Sequence, residues 1–148
     1  MTKFRLLAAA FVLAVPVAAI AADPVLVHRD PGCGCCEKWA AQVKAQFGRA
    51  VRMIDDAKRM TLQKARGVPA DLASCHTAVI DGMTFEGHVP IADMKRVLAA
   101  RPKGVTGLAV AGMPMGSPGM EMPGMKAQAY VVVAFGQGGR RVFARHGG

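Results

Sequence analysis

Four cysteines carry the strongest chemical signal in this sequence of 148 residues. Cys33, Cys35 and Cys36 lie within four consecutive positions, and Cys75 follows 39 residues after Cys36. Thiols crowded in this way are poor structural staples, because short loops gain little entropy from a cross-link and disulfide geometry is restrictive. The spacing therefore argues against a framework of two structural disulfides, and we expect the four sulfurs to converge on one point.

The position of the three clustered cysteines favours thiolates. A helix is predicted to begin here, and the positive end of its dipole lowers the pKa of a cysteine from about 8.5 by about one unit or more. Cys33 and Cys36 have the C-x-x-C spacing of a redox pair, and Cys35 adds a third sulfur to the same turn. Because neighbouring thiolates repel one another, a cation is their natural partner, and a soft metal ion suits sulfur best.

Methionines extend the set of sulfur donors. Pro and Gly recur too often in residues 112–125 for a regular helix or a central strand, so this segment is predicted to be a Met-rich loop. Four cysteines could hold zinc tetrahedrally, but the adjacent Cys35 and Cys36 suit bridging in a Cu(I) cluster better, and thioether sulfur also selects Cu(I). The alternative is a flexible surface loop whose Met side chains cover apolar surface. The five methionines of the segment are Met113, Met115, Met120, Met122 and Met125.

The four histidines differ in their expected roles. His88 is predicted to lie in a loop before a helix, where it could bind metal or support a ligand through a hydrogen bond. His76 follows Cys75, but strand alternation would turn it to the opposite face, so ligation would require an irregular strand start. We expect His28 to be packed or hydrogen-bonded near the cysteine turn and His146 to be solvated.

Hydrophobic patterning predicts the elements that position these residues. Short β-branched runs predict strands, and apolar residues at three- and four-residue spacing predict helices. The order of elements is β-α-β-α-β-β-α, that of an α/β protein with a thioredoxin-like fold, in which the reactive cysteines lie between the first strand and the first helix. In chain order we predict strand 24–28, helix 36–47, strand 51–54, a helix through 65, strands 76–80 and 83–86 around an Asp-Gly turn, a helix from 90 to 100, and a C-terminal hairpin of 130–135 and 142–145.

The N-terminus is predicted to be a signal peptide spanning residues 1–21, followed by one domain over residues 22–148. Lys3 and Arg5 precede an apolar run that is short for a membrane span, and small residues end it, so we expect cleavage, a periplasmic protein and no stable membrane span afterwards. Cleavage lowers the formal net charge from +9 to +7. The remaining basic residues are scattered with few aromatics, which argues against nucleic-acid binding.

Taken together, these segments resemble the DUF411 family of exported copper-resistance proteins, also called CopG. The resemblance covers nearly all of the chain after the signal peptide, with its segments in the same order. The matching segments are residues 30–36 (DPGCGCC), 75–79 (CHTAV), 86–90 (EGHVP), 107–110 (GLAV) and 112–121 (GMPMGSPGME).

The resemblance implies a thioredoxin-like domain that binds copper as a multinuclear Cu(I)-thiolate cluster. The implied function is periplasmic copper binding for copper resistance, with redox exchange between Cu(I) and Cu(II) as a further activity. Its partners would be copper ions and other periplasmic copper-handling proteins. The implied metal ligands are Cys33, Cys35, Cys36 and Cys75, joined by His88, Met113 and Met120.

A second function remains open on the sequence alone. A thiol-disulfide oxidoreductase would use Cys33 as the nucleophile and Cys36 as the resolving thiol. Cys35, Cys75 and the Met-rich loop have no task in that scheme, so copper binding explains more of the sequence.

Overall fold

Residues 22–147 are described by a computed structural model, which contains one seven-stranded mixed sheet and three α-helices. The predicted signal peptide, residues 1–21, lies outside the described residues. The elements are β1 (Val25–Arg29), α1 (Gly34–Phe47), β2 (Val51–Asp55), α2 (Arg59–Ala65), a 3-10 turn (Ala70–Leu72), β3 (His76–Ile80), β4 (Met83–Glu86), α3 (Ile91–Ala100), β5 (Gly107–Ala109), β6 (Tyr130–Gly136) and β7 (Gly139–His146).

The strands lie in the order β2-β1-β3-β4-β5-β6-β7. β1 is parallel to β2 and antiparallel to β3, which in turn is antiparallel to β4. β5 runs parallel to β4, and the hairpin of β6 and β7 extends the sheet antiparallel to β5. Because β1 and β3 are neighbours, the chain that leaves β1 and the chain that enters β3 meet at one edge.

Both faces of the sheet are covered. The main core lies on the side of α1 and α3, which contact each other, and Leu108 and Ala134 belong to it. The next residues along the same strands, Ala109 and Phe135, belong instead to a smaller cluster on the opposite face. This two-residue alternation is the normal consequence of the strand pleat. Helix α1, which follows β1, can therefore bury its apolar stripe against the sheet, and the first turn of this helix lies at the sheet edge.

Helix α1 illustrates how the sequence produces this packing. Trp39 and Val43 recur at helical spacing and are fully buried, and the Trp39 indole donates to the Val89 carbonyl at 3.0 Å. Gly48 ends the helix with a φ of 63°, and its N–H bonds to the Lys44 carbonyl. Glycine adopts this left-handed conformation without the strain that other residues meet.

The predicted order of elements is observed, with several changes at their boundaries. Helix α1 begins at Gly34 rather than at residue 36, because Cys33 caps it. Helix α2 begins only at Arg59, after a turn in which the Asp56 carboxylate accepts the Lys58 N–H. The predicted Asp81-Gly82 turn is present, with φ values of 47° and 81°. Strand β5 and the 3-10 turn are additions that the pattern did not predict, and both strands of the C-terminal hairpin are longer than expected.

The Met-rich segment, residues 112–125, contains neither helix nor strand. It connects β5 to β6 by passing over the first turn of α1. A Cβ atom placed on Gly119 would lie 2.7 Å from the Cys35 carbonyl oxygen and 2.8 Å from the Trp39 nitrogen. Glycine is thus needed for this close approach. Among residues 22–147, no helix is long and apolar enough to cross a membrane.

Candidate metal centre

The first turn of α1 positions three of the cysteines. β1 ends at Arg29, and the turn that follows places Cys33 at the N-cap, where its sulfur accepts the Cys36 N–H at 3.3 Å. The Cys33 N–H in turn bonds to the Asp30 carbonyl at 3.2 Å. The Cys33 sulfur therefore caps the positive dipole end of the helix, which favours negative charge.

The antiparallel pairing of β1 and β3 brings the fourth cysteine to the same turn. Arg29 is in register with His76, so Cys75 lies just beyond the end of the ladder, where its carbonyl accepts the Asp30 N–H at 3.0 Å. Its sulfur lies 3.4 Å from that of Cys36. All four cysteine sulfurs are within 4.8 Å of one another. The predicted convergence of the four thiols is therefore present in the structure.

Two of the four cysteines are joined. A disulfide links Cys33 and Cys36, whereas Cys35 and Cys75 are free. The structure agrees with the expectation that the cysteines do not form a framework of two disulfides. The one disulfide joins the pair with redox spacing, because C-x-x-C across a helix start brings the two sulfurs into bonding range. Two electrons must be added to this disulfide, which yields two thiolates, before all four sulfurs can bind a metal ion.

His88 presents one ring nitrogen to the cysteines. Its Nε2 lies 3.3 Å from the Cys75 sulfur, and its Nδ1 lies 2.8 Å from the Pro118 carbonyl oxygen. A carbonyl only accepts, so Nδ1 carries the hydrogen and the Nε2 lone pair faces the sulfur. Burial lowers the pKa of His88, which keeps the ring neutral. This arrangement, with one nitrogen held by a carbonyl, is typical of histidine ligands.

His76 also reaches the cysteine pocket. Its Nδ1 lies 3.6 Å from the Cys75 sulfur, because Cys75 precedes β3 and the strand alternation starts only at His76. The ring is fully buried between Trp39, at a centroid distance of 4.4 Å, and His88, at 4.9 Å. Burial, followed by the charges of His88 and Arg59, lowers the pKa of His76 to about 3. His76 is therefore neutral and packed against the site.

The other two histidines lie elsewhere. His28 bonds to Asp56 at 2.9 Å, which confirms the expected hydrogen-bonding role. His146 is not simply solvated as expected, because its Nε2 lies 2.6 Å from the Asp93 carboxylate and its ring stacks on Tyr130. Neither residue is part of the cysteine pocket.

Of the methionines named as ligands, Met113 touches a cysteine. Its thioether sulfur lies 3.9 Å from the Cys35 sulfur, and the side chain is about half exposed. Met120 is half-buried in the turn of the Met-rich segment, where its N–H bonds to the Ser117 carbonyl and its carbonyl accepts the Gly116 N–H. In the described part of the chain, the thioether contact of the cysteines is thus made by Met113.

The pocket disfavours a bare negative charge on the deeper cysteine. Burial, and after it the charge of a neighbouring Cys35 thiolate, raise the pKa of the Cys75 thiol to about 12. Both causes act by making the thiolate of Cys75 unfavourable without a counter-ion. A bound cation would remove this cost directly.

A buried polar network, which the sequence pattern did not predict, lies behind the cysteines. The carboxylate of Glu86 is fully buried at the end of β4, and Arg59 of α2 is only 7% exposed. The signal available in the sequence was a glutamate ending an otherwise buried strand. Such a residue is rarely buried unless it is paired.

The chain is similar to known proteins in sequence and in fold. The model of the family described as "Protein of unknown function, DUF411" matches residues 72–120, a stretch that includes Cys75, His88 and the start of the Met-rich segment. A solved structure titled "Copper resistance protein copG- Form 1" is 41% identical, and the alignment covers 86% of this chain and 99% of that chain with a TM-score of 0.77. The chain belongs to the DUF411, CopG-like family.

A second solved structure supports the same assignment. The structure titled "Copper resistance protein copG- Form 2" is 40% identical, with 84% of this chain and 99% of that chain covered and a TM-score of 0.75. No curated protein matches the chain. The neighbours of this DUF411 protein are thus named for copper resistance, and its cysteine cluster supports a copper-related function.

Proposed function

We propose that this protein binds copper as Cu(I) in the periplasm and so contributes to copper resistance. The observation that carries the proposal is the set of four cysteine sulfurs within 4.8 Å of one another at the start of α1. Soft thiolate ligands select Cu(I) and zinc. The neighbouring thioether of Met113 adds a soft, uncharged donor that favours Cu(I) over zinc, and the neutral imidazole of His88 adds a donor that suits either metal.

The donors form a compact cluster, and their number supports a site for several ions. The four cysteine sulfurs lie within 4.8 Å of one another. Cys35 also contacts the Met113 thioether at 3.9 Å, whereas the adjacent Cys36 contacts Cys75 at 3.4 Å, and Cys75 in turn contacts His88 at 3.3 Å. Neighbouring cysteines thus have different further donors beside them, which suits thiolates that bridge ions better than one closed tetrahedral site.

The proposal has three further parts. Met120 is proposed as a ligand from the family resemblance alone. The thioredoxin-like fold of the first part of the chain is proposed from the order β2-β1-β3-β4 with one parallel and two antiparallel pairings. The signal peptide is proposed from the residue pattern of 1–21, and a disulfide is compatible with the oxidising compartment to which such a peptide directs a protein.

The disulfide connects copper binding to redox chemistry. Reduction of the Cys33–Cys36 bond consumes two electrons and two protons and yields two thiols. Oxidation of two Cu(I) ions to Cu(II) releases two electrons, so exchange between the two copper states balances this step. We include this exchange in the proposal as the redox activity of the site.

The second candidate is a thiol-disulfide oxidoreductase, and the Cys33–Cys36 disulfide is the observation that favours it. Cys33 is half-buried and Cys36 fully buried, as expected of a nucleophile and a resolving thiol. This function leaves Cys35, Cys75 and Met113 without a role. Copper binding uses all of them and therefore ranks first.

Metal analysis separates the two functions. The protein is reduced, loaded anaerobically with Cu(I), and assayed for bound copper, with the air-oxidised disulfide form loaded in parallel. We expect several copper ions per chain in the reduced form, fewer in the disulfide form, and a large joint loss in Cys35→Ser. A reduced protein that holds no copper and catalyses the reduction of insulin disulfides would instead establish the oxidoreductase.

A further inference from the structure

The buried carboxylate of Glu86 is held by three hydrogen-bond donors. Its Oε1 accepts the Ser74 N–H at 2.7 Å and the Gln63 side-chain amide at 2.6 Å, and its Oε2 accepts the Thr77 hydroxyl at 2.6 Å. Ser74 immediately precedes Cys75, and Thr77 follows it by two positions. Glu86 is thus hydrogen-bonded to the chain on both sides of Cys75, and it does not contact the Cys75 sulfur.

Arg59 connects this carboxylate to the segment that carries the other cysteines. Its Nη2 bonds to the Asp30 carboxylate at 2.8 Å, and its Nη1 lies 3.5 Å from the Glu86 carboxylate. This Nη1 has no hydrogen-bond partner in the described chain, so its contact with Glu86 is one of charge. The backbone of Asp30 donates to the Cys75 carbonyl at 3.0 Å and accepts from the Cys33 N–H at 3.2 Å.

Close backbone packing at Gly87 brings the end of β4 against the chain that precedes Cys75. Gly87 follows Glu86 with a φ of +69°, and a Cβ atom there would lie 2.7 Å from the Ser74 hydroxyl oxygen and 2.5 Å from the Val110 carbonyl oxygen. The Ser74 hydroxyl donates to the Gly112 carbonyl at 2.6 Å, where the Met-rich segment begins. The end of β4 therefore contacts the chain before Cys75 directly, and it is linked through Ser74 to the start of the Met-rich segment and through Arg59 to the segment of the other cysteines.

A buried ion pair is weak support for stability as such, because desolvation offsets most of the attraction. Its place next to the cysteine cluster points to another role. We propose that Glu86 is a positioning residue that holds the Cys75 sulfur against the other three cysteines, with Arg59 joining the two cysteine-bearing segments. This inference rests on the proposed copper site, and it concerns how that site is assembled rather than which atoms bind the metal.

Two substitutions at Glu86 separate position from charge. In Glu86→Gln the amide oxygen still accepts from Ser74 and Gln63, and the amide nitrogen donates to the Thr77 hydroxyl, so the three hydrogen bonds survive. In Glu86→Ala all three are lost. Since residues that orient metal ligands typically contribute about 10- to 100-fold to metal affinity, we expect Glu86→Ala to weaken Cu(I) binding by that factor and Glu86→Gln to weaken it by less than about 3-fold.

A double-mutant cycle with Cys75→Ser identifies the route of the effect. If Glu86 acts through Cys75, then adding Glu86→Ala to Cys75→Ser weakens Cu(I) binding by less than about 3-fold further, because coupled residues are not additive. A general loss of structure would instead multiply the two losses. Should Glu86→Ala not fold, Thr77→Val removes one of the three hydrogen bonds and takes its place in the same cycle.

A measurement without metal keeps the inference separate from the proposed function. In the disulfide form only Cys35 and Cys75 can react with iodoacetamide, so Cys35 is an internal reference for Cys75. We expect Glu86→Ala to raise the ratio of Cys75 to Cys35 alkylation and Glu86→Gln to leave it unchanged. An unchanged ratio in a folded Glu86→Ala protein would overturn the inference, as would Cu(I) affinity equal to that of Glu86→Gln. A wild-type protein that binds no copper would refute the proposed function, while the alkylation ratio would still decide where Cys75 is held.

Discussion

The close approach of the Met-rich segment to α1 can be tested by comparing the stability of alanine substitutions at two glycines of that segment. Gly119 has a φ of +84°, and its absent Cβ would lie 2.7 Å from the Cys35 carbonyl oxygen. Gly124 in the same segment has a φ of +77° and has no atom within 4 Å of its absent Cβ. Gly119→Ala and Gly124→Ala therefore carry a similar backbone penalty, and they differ in whether the new methyl group has room.

The expected size of the difference follows from these contacts. A left-handed conformation costs a non-glycine residue about 1–2 kcal/mol, and this applies to both variants. In Gly119→Ala the methyl group also meets two backbone atoms well inside the normal separation of about 3.5–4.0 Å. Forcing an extra methyl group into a packed site costs about 1–3 kcal/mol. Gly119→Ala should thus be less stable than Gly124→Ala by about 1–3 kcal/mol.

Urea unfolding of both variants, followed by circular dichroism and extrapolated to water, measures this difference. The effect should also reach the metal centre, because Pro118 precedes Gly119 and its carbonyl holds the His88 ring. Cu(I) affinity should therefore fall in Gly119→Ala and remain close to wild type in Gly124→Ala. If the two variants unfold at the same urea concentration with the same slope, the segment does not press on α1 as described, and the reasoning fails.

Three further predictions concern the site and its surroundings. Met113→Leu should weaken Cu(I) binding in a chelator competition more than Met122→Leu, a control of similar exposure. It should weaken binding less than Cys75→Ser does, because a thiolate carries charge and a thioether does not. Equal losses from Cys75→Ser and Met113→Leu would contradict this order. Since the pKa of the Cys75 thiol is raised to about 12, copper binding at pH 7 should release a proton from it, and a pH indicator should record one proton fewer per chain in Cys75→Ser. Burial, aided by the charges of two nearby carboxylates, raises the pKa of Tyr130, the only tyrosine, to about 12. The absorbance of its phenolate should appear near pH 12 in the folded protein and at about pH 10 in urea. The stability that the raised pKa contributes should be complete below pH 10 and lost as the pH rises towards 12. A titration midpoint near pH 10 in protein with native circular dichroism would show that the ring is not buried.

Local patterns in the sequence were sufficient for most of the element order. The apolar stripe through Trp39 and Val43, the left-handed Gly48 and the Asp81-Gly82 turn are all set by residues close to one another in the chain. Such features depend on short-range sterics and on which side chains avoid water. The clustering of Cys33, Cys35 and Cys36 at a helix start is equally local. The chemistry of a soft-metal site could therefore be predicted before the fold was known.

Features that depend on distant pairing could not be predicted in this way. Strand β5 has only three residues, and its place is set by β4 on one side and β6 on the other. The burial of Glu86 depends on α2, which supplies Gln63 and Arg59 from a separate part of the chain. A three-residue strand and a single acidic side chain carry too little local signal to reveal partners that are far away in the sequence.

The candidate metal centre combines the two kinds of information. Residue types alone indicate sulfur ligands and a soft ion, because ligand softness is a property of the side chain. Which sulfurs lie next to one another is a property of the folded chain: the β1–β3 pairing brings Cys75 to the start of α1, and the path of the Met-rich segment brings Met113, among its five methionines, to Cys35. Hydrogen bonds between strands and close packing across the sheet fix distances that no spacing along the chain encodes.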